Sequence, residues 1–269
     1  MSHPYENLPE RCFWKPAIAS RHIADLEHIW DPIRLTRKDK IATAGSCFAQ
    51  HIGKNLAQRG ANFMDCEATP AVFHNISEAR RFGYGVFSCR YGNIYTSRQL
   101  LQLAQEAFES WEPSDYAWEK DGRYFDAFRP AITPVGEETA EDVVRARQTH
   151  IKAVRGMFED LDLLVFTLGL TEGWEEKKTG ILYPAAPGTI AGTYKPENFQ
   201  LRNLRYGEII EDLLAFRKIL KSVNPTARIL LTVSPVPLIA TATNDHVLQA
   251  TTYSKSVLRA VAGDLAADH

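Results

Sequence analysis

The sequence predicts an α/β fold: a parallel central sheet with helices on both faces, interrupted by loop and hairpin insertions. Three observations predict it. Continuous apolar runs at 161–170 ("LDLLVFTLGL") and 227–238 ("ARILLTVSPVPL") have the length and bulk of strands covered on both faces. Segments of helical apolar period alternate with them, which argues for parallel pairing through helical crossovers. The strand candidates also end in Gly, Ser or Thr, and ligands of such sheets sit beyond the carboxyl ends of the strands.

Residues 1–38 are rich in Pro, aromatic and charged side chains, including Trp14 and Trp30, and read as an irregular arm wrapping a domain that spans 39–269. "KIATAG" at 40–45 is the first buried strand. A helix follows at once. Phe48, Ile52 and Leu56 repeat every four residues, and Gly60 is placed to stop the helix in a left-handed conformation. "ANFMDC" at 61–66 is a short second strand. Residues 97–109 form a helix whose face is Leu100, Leu103, Ala104 and Ala107, with Ser97 as its N-cap. Residues 110–135 look like a hairpin insertion turning at Asp121-Gly122. A helix is expected over about 139–158 and a Gly- and Pro-rich loop from 171 to about 203. The next helix, about 206–222, carries Ile209, Leu213, Phe216 and Leu220 on one face. The last begins near 245 and ends with no following strand, as a chain cut within an α/β fold would.

Composition narrows the function classes. The 269 residues carry a formal net charge of −2, 45% hydrophobic and 24% charged side chains. No basic field suited to nucleic acid is present, and no apolar run approaches a membrane span. The N-terminus has no secretory signal, so a cytoplasmic location is expected. Cys12, Cys47, Cys66 and Cys89 form no CxxC pair and no zinc spacing with His, so reduced thiols and no metal are expected.

The chemistry centres on Gly45-Ser46-Cys47. A serine between a buried strand and a helix has its amide at the positive helix end, which suits a nucleophile and its oxyanion. It equally suits a plain N-cap. Cys47 is the rival nucleophile, since a thiol at a helix N-terminus ionises more readily. A serine needs a base. His51 lies on the helix and reads as a surface or core histidine. His246 lies in "TATNDHVLQ", a loop expected to cross the strand-end edge, with Asn244 and Asp245 as orienting groups or simple helix caps. Gly92, Asn93, Gly169 and Thr171 supply further donors and close approach at the same edge.

Five stretches, "GSCFA" (45–49), "YGNIYTSRQLLQL", "FTLGLTEGW", "LLTVSPVPL" and "HVLQATTYSKSVLRAVA", resemble in order the blocks of the GSCFA domain family, over nearly the whole chain from about residue 40. That family resembles the SGNH/GDSL hydrolases, which implies a three-layer, flavodoxin-like α/β/α fold. The resemblance implies Ser46 as nucleophile with its N–H an oxyanion donor. It further implies Gly92 as the second-block glycine, Asn93 as a polar contact, Thr171 at the position of an asparagine donor, and His246 as base. The chain departs from that pattern. It has Gly45 directly before Ser46 with no aspartate between them, Thr171 for asparagine, and Thr243 three residues before His246. The acid is then Asp245, Asn244 or a distant group, or the pair is a Ser–His dyad; loss of an orienting carboxylate costs a rate factor of roughly 10⁴ in such enzymes. The implied activity is ester hydrolysis or O-acyl transfer on an acylated carbohydrate or small ester, with no cofactor. The alternative is a non-catalytic binding module on the same scaffold.

Overall fold

A computed structural model describes residues 3–29, 33–111, 113 and 115–267. The chain divides into two compact units, Met1–Thr36 and Arg37–His269. The first holds short helical turns at Glu10–Cys12, Lys15–Ala19 and Ile23–Asp25, none with a buried residue. Trp14 is exposed, and Trp30 lies outside the described residues.

In the second unit, β1 (Ile41–Gly45) pairs in parallel with β4 (Leu163–Leu168), which pairs in parallel with β8 (Arg228–Val233). Every residue of β1 and β4 is buried, which is why both read as apolar runs rather than alternating ones. The predicted second strand shrinks to one parallel bridge, Ile41 with Phe63, on the outer side of β1. The spatial order is thus Phe63, β1, β4, β8, with helices covering the sheet, a three-layer α/β/α arrangement. The period of two decides what each face meets. Ala42, Ala44, Leu164, Phe166 and Leu168 pack with α3 (Ser97–Phe108), α4 (Ala140–Asp160), α5 (Tyr206–Val223) and α6 (Val247–Ala267). Ile41, Leu163 and Val165 face Ile52 and Leu56 of α1 (Cys47–Gln58).

The helix ends show their local causes. Gly60 at φ +73° donates to Ala57 and Ala61 donates to Leu56, the paired bonds of a Schellman stop. Thr96, not Ser97, caps α3 in a capping box with Gln99, which frees the Ser97 hydroxyl to donate to Asp212. Thr139 caps α4. The expected hairpin is β2 (Ala117–Lys120) with β3 (Arg123–Asp126), turned by Asp121 at φ 52° and Gly122 at φ 74°.

Two further expectations need correcting. Residues 171–203 are not a loop. They form an antiparallel sheet of order β6-β5-β7: β5 (Glu172–Glu176), β6 (Leu182–Tyr183) and β7 (Phe199–Asn203). And β8, read as a buried strand, is half-exposed from residue 229 to 233, because it is the sheet's edge among the described residues. A short helix, α2 (Ile76–Arg81), completes the unit.

Candidate functional site

At the carboxyl ends of β1 and β4 the backbone is forced close. Gly45 has φ +134°, and a Cβ there would stand 2.4 Å from the Thr167 carbonyl oxygen. The Ile94 amide donates to the Gly45 carbonyl at 2.9 Å, and the Gly169 and Leu170 amides both donate to Tyr95 O at 3.0 Å. The 92–96 loop is therefore wedged between the two strand ends. A Cβ on Gly169 would stand 3.0 Å from the Ser46 Cβ, so Gly169 is the residue that lets the β4 end approach the serine.

Ser46 occupies the N-cap position of α1 but its side chain makes no capping bond. It is 3% exposed, and its Oγ is buried with no hydrogen-bond partner. Buried hydroxyls are nearly always bonded, so an unpartnered one at a strand-end corner calls for an explanation. Its amide differs from the expected free oxyanion donor, because it donates to Thr167 O at 3.2 Å, continuing the sheet by one residue. The Thr171 hydroxyl is also committed: it donates to the Asn203 side-chain oxygen at 2.6 Å, while its amide donates to the Ser254 hydroxyl at 3.1 Å.

Asn93 uses both ends of its amide, accepting from Gln50 at 3.4 Å and donating to the Tyr95 hydroxyl at 3.1 Å. Gly92 sits at φ +68°. Gln50, Gly92, Asn93 and Tyr95 together line one side of a cleft of about 380 Å³. Cys47 is free and half-buried, and His51 is exposed against the Phe48 ring.

His246 does not join Ser46. It is exposed, and its Nδ1 accepts from the Leu248 amide at 3.2 Å, so the ring caps the start of α6. A neutral imidazole bonded that way keeps its proton on Nε2 and has no lone pair left for a base role. Asp245 is exposed and its amide donates to the Thr243 hydroxyl. The loop does reach the strand-end edge, where the Thr241 hydroxyl donates to Glu172 at 2.7 Å, but it brings no ring to the serine.

A different residue stands at this corner. Ser254 binds α6 to the Thr171 amide, and the neighbouring Lys255 Nζ donates to the Gly169 carbonyl, on the glycine that abuts Ser46. Lys255 is half-buried; burial pushes its ammonium below the ordinary lysine value, with Cys47 pulling the other way. Nothing in "TTYSKSVLRA" marks this lysine as functional, because its position depends on how α6 docks. Among the described residues no cluster of His, Cys, Asp and Glu could hold a metal ion, and no helix is long and apolar enough to cross a membrane.

The model of the GSCFA family matches the sequence over residues 40–269. No curated protein and no solved structure matches it.

Proposed function

The chain belongs to the GSCFA family, and from that premise we propose that it is a cytoplasmic serine-dependent acyl-transfer enzyme, an ester hydrolase or O-acyltransferase. One observation carries this reading: the buried Ser46 hydroxyl, at the strand-to-helix corner, neither caps α1 nor bonds to anything else. In the proposed reaction Ser46 Oγ attacks the acyl carbonyl carbon and its proton passes to the neutral Lys255 amine, which takes the role that the family resemblance implies for His246. The ester C–O bond breaks, and the leaving alkoxide collects the proton from Lys255. Water or a sugar hydroxyl then attacks the acyl-serine in the reverse sequence and regenerates Ser46. The Cys47 and Phe48 amides at the start of α1, which the Ser46 side chain does not cap, are the donors for the tetrahedral oxyanion, the Ala49 amide being committed to the Ser46 carbonyl at 2.8 Å. An acylated carbohydrate or small ester is the proposed substrate by analogy of fold.

The test is covalent labelling with a fluorophosphonate probe. Wild type should be labelled and Ser46→Ala should not, with p-nitrophenyl acetate hydrolysis lost in parallel. A second reading, a non-catalytic binding module, draws on the closure of Ser46 Oγ from solvent and on the loss of its amide to Thr167. Unlabelled wild type with no ester hydrolysis would decide for the module.

A further inference from the structure

The cleft beside this corner has a lopsided charge. Of its lining residues, three are arginines and none is Asp or Glu, in a chain whose formal net charge is −2. The arginines differ in how they are employed. Arg129 is buried and spent: it donates to Asp126 at 2.6 Å and to the carbonyls of Arg90 and Ala146 at 3.0 and 3.3 Å. Arg80 and Arg81, in the last turn of α2, are exposed, and no carboxylate pairs with either among the described residues.

Two arginines ending a helix have an ordinary explanation, since they complement the helix dipole and are solvated. The rest of the cleft goes beyond that. Facing the same space are Phe87 and Ile132, both buried side chains, and Ile190. An apolar wall next to unpaired guanidiniums is the arrangement that holds an anionic head on an apolar body, with the fork of each guanidinium matched to a carboxylate or phosphate. A cleft with no opposing acid also concentrates the field of its cations.

We propose that this cleft binds an amphiphilic anion, its carboxylate or phosphate held by Arg80 and Arg81 and its apolar part against Phe87 and Ile132. The inference goes beyond ester chemistry at Ser46 and rests on the cleft alone, so it stands or falls independently of whether Ser46 reacts.

The experiment is a fluorescence titration of the full chain with 8-anilinonaphthalene-1-sulfonate, displaced by octanoate, octyl phosphate or octanol. On wild type, at least one anionic competitor should displace the probe at about tenfold lower concentration than octanol, and the stronger one identifies the head group. Arg80→Ala/Arg81→Ala should lose that advantage while melting as wild type does, since both side chains are exposed. The proposal is overturned if octanol competes as well as both anions on wild type, or if the double variant keeps the anionic preference.

Discussion

A buried hydroxyl with no partner costs about 1–3 kcal/mol, so Ser46 is either a cost the fold tolerates or a group kept free for use. Lys255 is where these alternatives part. Arginine at 255 would keep the positive charge and could still donate to the Gly169 carbonyl, but it does not release its proton at neutral pH. If Lys255 is the proton acceptor, Lys255→Arg should slow fluorophosphonate labelling of Ser46 by roughly 10²–10⁴-fold with an unchanged melting curve. If Lys255 only pins α6 to the strand ends, the variant will label at the wild-type rate. The pH profile has a definite sign. Burial lowers the ammonium, so labelling should rise with pH and level off below the free-lysine value of about 10.4. Ser46 could be picked out of the sequence because its position between a strand and a helix is local. Lys255 could not, because only the docking of Ser254 on the Thr171 amide turns it to the site. His246 misled for the same reason: "TNDH" before a helix reads alike whether the ring is a cap or a base.

The β1–α1 corner depends on a single backbone conformation. Any Cβ at Gly45 meets the Thr167 carbonyl at 2.4 Å and its nitrogen at 2.8 Å, both in the neighbouring strand, at a φ of +134° that other residues avoid. Gly45→Ala should therefore destabilise the protein by more than about 3 kcal/mol in urea unfolding, combining left-handed strain with a backbone clash. A wild-type midpoint would mean the corner relaxes, and with it the argument that Ser46 is rigidly placed. Elements whose burial is uniform or helically periodic were legible: β1 and β4 as unbroken apolar runs, α5 from the spacing of Ile209, Leu213, Phe216 and Leu220. The sheet β6-β5-β7 was not. Its strands are short, every residue of β7 is half-exposed, and β5 buries only Gly173, so no period of two marks them. Their pairing is decided by tertiary contact, as where Leu182 packs onto the Cα of Gly173. The half-exposure of β8 was hidden for a related reason, since its apolar run does not reveal whether a further strand lies beside it.

Across the whole second unit, charge is buried as well as apolar surface. Arg147 of α4 reaches Glu106 of α3 and Asp126 of the hairpin, and Arg129 shares Asp126, so the insertion is tied to the helical layer by fully paired ions. Burial would raise the Asp126 carboxyl, but Arg147 and Arg129 outweigh it and hold it low. Beside this network His150 is fully buried, its Nδ1 bonded to Glu67 at 2.6 Å and its Nε2 without a partner. Burial, reinforced by the positive charge of Arg129 and Arg147, holds His150 well below the ordinary histidine value. The folded protein thus resists protonating this ring, while in the unfolded chain it takes a proton near 6.5. The unfolded state then binds more protons, so His150 makes stability fall as pH falls, by at most about 1.4 kcal/mol per unit. Glu67 acts in the opposite sense, because burial raises its carboxyl and the folded state protonates it first. Comparing wild type with His150→Gln, which retains a donor for Glu67, isolates the histidine. The stability difference, wild type minus variant, should shrink steadily between pH 7 and pH 5 in urea titrations. Parallel pH dependences for the two proteins would show that His150 takes up its proton as readily in the folded state as in the unfolded chain, and that the network around it accommodates the charge.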